Sequence, residues 1–312
     1  MQALSIAFEA IVPLFLIIAV GYGVKRLGWI GLEEVRRFNK VTFYTFMPVM
    51  LFYNIYISDF SQAVRLPYVL FVVGMALGMA VVAFGVVLLA EKAPERRGVM
   101  IQAAFRSNFV LLGLPIAAEL LPGGNLGVTA LMIAIVVPFY NMMSVVVLEY
   151  FRGEKPKMGE VLLAVAKNPL IIGSAVGLLM QALHITLPAV LVSFAGKMNS
   201  AATPLILLLL GASFEVRDMA RYKKDLLVCV GLRLVVFPGA ILALAAAIGL
   251  RGIEFVTLLA MTAAPTAVNS FNMAQQLGGD SDLAGSAVVV STAGSFFTLF
   301  LWITLFKQLG MF

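Results

Sequence analysis

The chain is a succession of apolar runs, each about 20 residues long, joined by short polar turns. Coiled as a helix that rises about 1.5 Å per residue, such a run spans the ~30 Å hydrocarbon core of a bilayer. The runs fall at about 7–27, 41–60, 66–90, 98–121, 126–151, 161–182, 187–212, 225–249, 253–276 and 283–307. None alternates as a barrel strand does, and backbone in lipid must satisfy its polar groups internally, so the runs read as helices. Composition agrees: 62% of the 312 residues are hydrophobic and 12% charged, against about 25% charged in soluble domains. One water-soluble core could not hide so much apolar surface. The expected fold class is an all-α polytopic membrane protein with ten transmembrane helices. The stretch Met1 to Glu9 lacks a basic n-region, so the run from Ala10 to Val24 is expected to be the first span and not a cleaved signal.

The inventory of reactive side chains is sparse. Cys229 is the one cysteine and His184 the one histidine, which leaves no internal disulfide and no Cys/His metal site. Neither a metal nor a cofactor is expected. An intramembrane enzyme would need a nucleophile or paired acids at depth, and no obvious set exists, so the chain is not expected to be an enzyme. The net charge of +6 does not suggest nucleic acid, because the basic residues sit in turns between apolar runs. Sixteen of them fall on one side: Lys25, Arg26, Arg36, Arg37, Lys40, Lys92, Arg96, Arg97, Arg152, Lys155, Lys157, Lys167, Arg217, Arg221, Lys223 and Lys224. Arg65, Arg251 and Lys307 fall on the other, and Arg106, Lys197 and Arg233 within spans. By the positive-inside rule the basic turns face the cytoplasm and both termini face outward across a plasma (inner) membrane.

A shift of 156 residues carries Pro13-Leu14 onto Pro169-Leu170, Ala19-Val20-Gly21 onto Ala175-Val176-Gly177, and Pro48 onto Pro204. Chance coincidence is one reading, since these residues are common in membrane helices. The other is duplication of a five-helix unit, residues 1–156 and 157–312. Five crossings are odd, so the copies would sit inverted, an arrangement that in secondary transporters places the substrate site between the copies.

The fourth and ninth runs each carry a helix breaker among small and amide side chains. The fourth reads Phe105-Arg106-Ser107-Asn108-Phe109 and then Gly113-Leu114-Pro115; the ninth reads Ala264-Pro265-Thr266-Ala267-Val268-Asn269-Ser270-Phe271-Asn272. Proline removes a backbone donor and clashes with the preceding turn. Since proline favours a first helical turn, half-helices starting near Pro115 and Pro265 would aim positive N-termini at the midplane. That suits an anion, and Asn108 and Asn269 can donate to a carboxylate. The plainer reading is a kinked helix whose amides bind its neighbours.

Arg106 and Arg233 each lie nine residues beyond a basic turn, roughly 13 Å deeper along a helix. Glu9, Glu119, Glu149 and Asp225 lie near run ends, so no carboxylate matches these arginines at depth. Unpaired cations favour an anionic ligand; alternatively each arginine holds helix carbonyls or a lipid phosphate. Lys197 either reaches the outer surface or pairs with substrate. Asp280 and Asp282 are expected in a solvated turn, Trp29 and Trp302 as interfacial anchors, and Phe43, Tyr44, Phe46, Phe52 and Tyr53 in helix packing or a dimer face.

The segment Arg106-Ser107-Asn108-Phe109 with Gly113-Leu114-Pro115 resembles the span 4 motif of auxin efflux carrier family transporters. So does Ala264 to Ser270, followed by Ala274-Gln275-Gln276, Gly278-Gly279-Asp280 and Ser291-Thr292, resemble that family's motif in spans 9 and 10; Arg233 with Pro238 fits its span 8. The likeness covers the whole chain and, with a short turn between spans 5 and 6, is to the compact bacterial branch. It implies the fold of sodium/proton antiporters and bile acid transporters, with broken helices 4 and 9 crossing. It further implies a scaffold of spans 1, 2, 6 and 7, a mobile domain of spans 3–5 and 8–10, elevator-type motion, a homodimer and organic-anion substrates.

Residues and resemblance together predict a secondary transporter of small organic carboxylates working by export or uniport. Sodium- or proton-coupled uptake of a dicarboxylate such as malonate or malate is one alternative, and a membrane sensor that binds without transporting is another. The predicted site is Asn108, Gly113, Pro115, Pro265, Asn269, Ser270 and Arg106, with Arg233, Lys197, Asn272 and Gln276 as further candidates. Partners are the substrate anion, the bilayer and a second copy. The orientation is directly testable in a Cys229→Ser background. A cysteine placed at Lys92 or Arg152 should react with an impermeant maleimide only once the inner face is opened, and one at Arg251 in intact cells; the opposite pattern inverts the topology.

Overall fold

A computed structural model of the protein describes residues 2–57, 65–121, 126–152, 158–214 and 216–312. The end of the second expected run (58–60), Lys155, Lys157 and the expected repeat boundary at 156 lie outside the described residues, as do the side chains of Glu9 and Arg217. The described residues are helical, with no strand among them. Five helices are long and apolar enough to cross a membrane: 66–90, 127–150, 189–213, 223–247 (a helix with an internal π turn) and 281–308.

In chain order, α1 is Gln2–Arg26, α2 Leu32–Val41 and α3 Met47–Tyr56, the last two joined through a π-helical turn at Thr42–Phe46. Then come α4 (Leu66–Ala90), α5 (Pro94–Phe105), α6 (Phe109–Leu120) and α7 (Gly127–Tyr150). They are followed by α8 (Met158–Lys167), α9 (Pro169–Ala182), α10 (Ala189–Ser213) and the short α11 (Val216–Arg221). Helix α12 (Lys223–Gly231) continues through a second π turn, Leu232–Val236, into α13 (Phe237–Ala247). Last are α14 (Gly252–Ala263), α15 (Asn269–Gln276) and α16 (Ser281–Gln308).

Three local readings of the sequence change. The second run begins nine residues before position 41, because Leu32–Val41 is amphipathic: it buries Val35 and Asn39 and turns Arg36, Arg37 and Lys40 outward, so these cations ride on a helix and not in a loop. The sixth run is divided at Asn168, whose Oδ1 accepts the Leu170 N–H at 2.9 Å and caps α9, with Pro169 at its first position. Asp280 is not merely solvated. It caps α16 by accepting the Leu283 N–H at 3.0 Å, and accepts the Tyr222 hydroxyl at 3.1 Å.

Two sets of helices pack among themselves. One is α1, α2–α3, α9 and α10; the other is α4–α7 with α12–α16, and α16 also lies along α1. Glycine sets the closeness of the first set. A Cβ on Gly21 would run into the carbonyl oxygen of Leu208, and one on Gly211 into that of Ile18, so α1 and α10 touch backbone to backbone. Between α9 and α3, a Cβ on Gly173 would come within 2.5 Å of the Pro48 carbonyl oxygen, and one on Gly177 within 3.0 Å of that of Phe52.

The second set is tied at both ends. At the end that carries the basic turns, Arg96 of α5 stands 3.8 Å from Glu91, 3.6 Å from Asp225 and 3.5 Å from Asp280, joining the starts of α12 and α16 to the α4–α5 turn. At the other end Arg65 pairs with Glu254, and the Tyr68 hydroxyl donates to the Glu254 carbonyl at 2.8 Å.

Gly211→Ala should therefore lower the unfolding temperature in detergent, since forcing helices apart costs about 1–3 kcal/mol. Gly78→Ala, where no atom lies within 4 Å of the new methyl, should be neutral or raise it through helix propensity. Equal effects of the two substitutions would show that the α1–α10 contact does not set stability.

Candidate functional site

The two broken helices meet at their breaks. Helix α5 ends at Phe105, and the chain runs extended through Arg106 before α6 starts at Phe109. Helix α14 ends at Ala263, and α15 starts at Asn269. Ser107 and Thr266 form an antiparallel bridge between the two gaps. The Asn108 N–H donates to the Pro265 carbonyl at 2.8 Å, and the Ala267 N–H to the Arg106 carbonyl at 3.2 Å. Thr266 is held twice more: its N–H donates to Ser291 Oγ at 3.1 Å and its hydroxyl to the Ala103 carbonyl at 2.9 Å. Non-helical backbone at this depth survives only when its polar groups find protein partners, and these bonds supply them.

The break in the first of these helices is not at Pro115. It lies at Arg106–Asn108, seven to nine residues earlier, and Pro115 stands exposed inside α6. The reason is tertiary. Pro265, which has no N–H of its own, offers its carbonyl to Asn108, so a segment without proline leaves the helix to pair with one that has it. The N-termini of α6 and α15 both lie at the crossing; in α15 the Ser270 and Phe271 N–H groups already donate to the Ala267 and Val268 carbonyls, at 3.0 and 3.3 Å, so the free first-turn donors are chiefly those of α6.

The two C-termini at the crossing share a cap. Arg233, wholly buried on the π turn between α12 and α13, donates Nη1 to the Phe105 carbonyl at 2.9 Å and Nη2 to the Met261 carbonyl at 3.1 Å, with the Thr262 carbonyl also on Nη2. Phe105 closes α5, and Met261 and Thr262 lie in the last turn of α14. Arg233 thus neutralises the negative ends of both half-helices and is not among the residues lining the cavity described next.

A small cavity of about 30 Å³, room for about one water molecule, lies on the α6 side of the crossing. Ser107, Asn108, Asn269 and Tyr140 line it from the second set of helices, Met50 and Thr203 from the first. Asn108 is 5% exposed and its Nδ2 has no hydrogen-bond partner, a buried donor left free where the cavity opens. Arg106 borders the cavity too. Its guanidinium donates to Asn141 Oδ1 at 2.6 Å, Ser270 Oγ at 3.4 Å and Met273 Sδ at 2.9 Å, so its charge is held by neutral groups.

On the α15 side the crossing is closed by amides. Asn272 Nδ2 donates to Asn39 Oδ1 at 3.0 Å and to its carbonyl at 3.1 Å, and Asn39 Nδ2 donates to Gln275 Oε1 at 2.8 Å. Asn39 and Asn272 are fully buried. They join α2 of the first set to α15 of the second.

Of the residues singled out from sequence, Asn108, Asn269 and Arg106 come together at the cavity, and Pro265 builds the bridge beside it. Ser270 holds Arg106, Asn272 belongs to the amide seal, and Gln276 lines neither. Gly113 is buried in α6, where a Cβ would press on the Phe109 ring at 2.8 Å. Lys197 is exposed on α10, beside a separate open recess with Tyr53 and Ser193. Thr203, Tyr140, Asn39 and Asn141 were not picked out. Thr203 precedes Pro204, one of the repeat coincidences, and that proximity was its one sequence signal.

Comparison with known proteins points the same way. The family model described as membrane transport protein matches residues 6–303. An uncharacterized transporter of Methanocaldococcus jannaschii is 23% identical over 95% of this chain and 98% of its own length. One of Methanothermobacter thermautotrophicus is 24% identical over 94% and 96% respectively.

Replacing Arg233 by alanine would strip the shared cap from the Phe105, Met261 and Thr262 carbonyls in a water-poor interior, a loss of about 3 kcal/mol or more. Thermal unfolding of Arg233→Ala in detergent should show a large drop, which Arg233→Lys repairs only in part because an ammonium cannot fork to both helix ends. Wild-type stability in Arg233→Ala would remove the cap from the account of the crossing.

Proposed function

Because the chain belongs to the membrane transport protein (auxin efflux carrier) family, we propose that it carries small organic carboxylates through the helix crossing. As a member it is a membrane transporter and not an enzyme. One observation carries the anion reading: a free buried donor, Asn108 Nδ2, faces a cavity toward which two helix N-termini point. With the cavity widened, a carboxylate there would accept from Asn108 and from first-turn N–H groups of α6, while Arg106 biases the local potential toward anions. No carboxylate is among the residues that line this cavity.

The ten-span, two-copy architecture is part of the same proposal. Besides the sequence coincidences, a shift of 156 residues turns the Gly21–Leu208 contact into the Gly177–Phe52 contact with the partners' roles preserved. The set α1–α3, α9 and α10 is then the scaffold, through which two copies pair. The set α4–α7 and α12–α16 is the moving body, and its motion relative to the scaffold is the elevator step. With the basic turns in the cytoplasm, the cavity lies on the outer side of the crossing and Asn39–Asn272–Gln275 seals the inner side. Transport requires that seal to part. Export of a monovalent anion down the membrane potential gains about 2.3 kcal/mol per 100 mV without a coupling ion.

The test is current from purified protein in liposomes on a supported membrane, with indole-3-acetate, malonate, malate and lactate each given with and without sodium and a pH gradient. The proposal predicts a substrate-specific current that needs neither ion; dependence on either ion turns the reading to coupled uptake. A hydrogen bond to a charged group is worth about 1.5–3 kcal/mol. Asn108→Ala should therefore weaken apparent affinity roughly ten- to hundredfold while leaving thermal stability near wild type. Unchanged transport in that variant would remove Asn108 from the site.

A further inference from the structure

Away from the crossing, a groove of about 660 Å³ runs between α12 with its π turn and α16. Its walls are apolar, Leu227, Val230, Leu234 and Val290 among them, and Lys223 stands at its mouth. Gly231 leaves its middle empty, since a Cβ built there meets no atom within 4 Å. From Lys223 to Val235 the groove covers thirteen residues, roughly 18 Å of helix from first to last, close to the ~15 Å depth of one leaflet's hydrocarbon. It is therefore an open apolar groove about as long as one leaflet is deep, with a cation at one end.

The charges at that mouth are sorted. Tyr222, buried at the α11–α12 corner, is pinned by its hydroxyl to Asp280 and lies under the Arg96 guanidinium at 5.1 Å. Asp225 and Asp280 turn inward onto Arg96, and Asp282 is engaged as well. Arg221, Lys223 and Lys224 are left exposed on the outer face of the corner, Arg221 steadied 5.3 Å over the Tyr222 ring. Neither lysine makes an ion pair among the described residues. We infer that this groove binds an anionic phospholipid, one acyl chain lying along Gly231 and the phosphate headgroup held by Lys223, Lys224 and Arg221. A lipid with no net charge would fill the groove but leave the three cations unmatched.

Purified protein in detergent tests the inference through lipid titrations read by native mass spectrometry and by unfolding temperature. The probes are phosphatidylglycerol, phosphatidylcholine with the same chains, and glycerol 3-phosphate. Phosphatidylglycerol should stay bound and raise the unfolding temperature; phosphatidylcholine should do so far less, and glycerol 3-phosphate not at all. The double variant Lys223→Gln, Lys224→Gln should lose the preference, with affinity for phosphatidylglycerol falling roughly thirtyfold. Gly231→Phe, which fills open space, should lose retention of the lipid while its lipid-free unfolding temperature stays near wild type. Equal binding of the two lipids by the wild type overturns the inference, as does the full effect from glycerol 3-phosphate. Retention of the preference in either variant would do so too, and so would a groove occupied by a second protein copy, seen as a dimer lost in Gly231→Phe.

Discussion

Everything at the centre of this protein depends on a two-bond backbone bridge between segments that have left their helices. Each break frees donors and acceptors that lipid cannot satisfy, and neither break is tenable alone. Asn108 needs the Pro265 carbonyl, and Ala267 needs the Arg106 carbonyl. The pairing creates four helix ends at one point, two of each sign. The negative ends are taken by Arg233, and the positive ends are left facing a cavity. The proposed anion preference rests on this asymmetry in capping: Arg233 supplies a cation for the C-termini, and no carboxylate lines the cavity beside the N-termini.

The two buried arginines looked alike in sequence, each nine residues past a basic turn, and they do different work. Arg233 sits on a π turn, where the extra residue widens the helix and swings the side chain across to α5 and α14. Arg106 sits at the end of a helix and folds back onto Asn141, Ser270 and Met273. Sequence depth says that both are costly to bury. It cannot say which carbonyls are in reach, because those belong to residues 28 and 128 positions away.

The same distinction between local and distant information governs what else was legible. Apolar run length carries through to the long helices, and the pairing of amides with a breaker located the crossing, since Asn108, Asn269 and Pro265 all meet there. Local sequence puts the break at Pro115, since proline breaks helices, and the fold puts it elsewhere. In the fold proline is the partner, and the segment that yields is Arg106–Asn108, where nothing in the local sequence forbids a helix. Asn39 escaped notice for a related reason. It lay in what hydropathy treats as a loop, whereas α2 is an amphipathic helix whose buried face carries that asparagine to Asn272.

The bonds also differ in kind on the two sides of the cavity. The second helix set is held internally by charge-assisted bonds from Arg233, by the bridge, and by Arg96 among three carboxylates. Across to the first set, the polar contact at the crossing is the neutral amide seal of Asn39, Asn272 and Gln275. A neutral hydrogen bond is worth about 0.5–1.5 kcal/mol net and charge-assisted ones roughly twice that. If the assembly opens anywhere near the cavity, this difference directs the opening to the plane between the sets and leaves the crossing intact. Under the proposed mechanism, amides suit a seal that breaks and re-forms, since each can exchange its partner for water without burying a bare charge. In the proposed cycle the crossing, with Asn108 and Asn269, stays on one body while Met50 and Thr203 face it from the other, so a seam of weak and replaceable bonds can change while the geometry at the break does not.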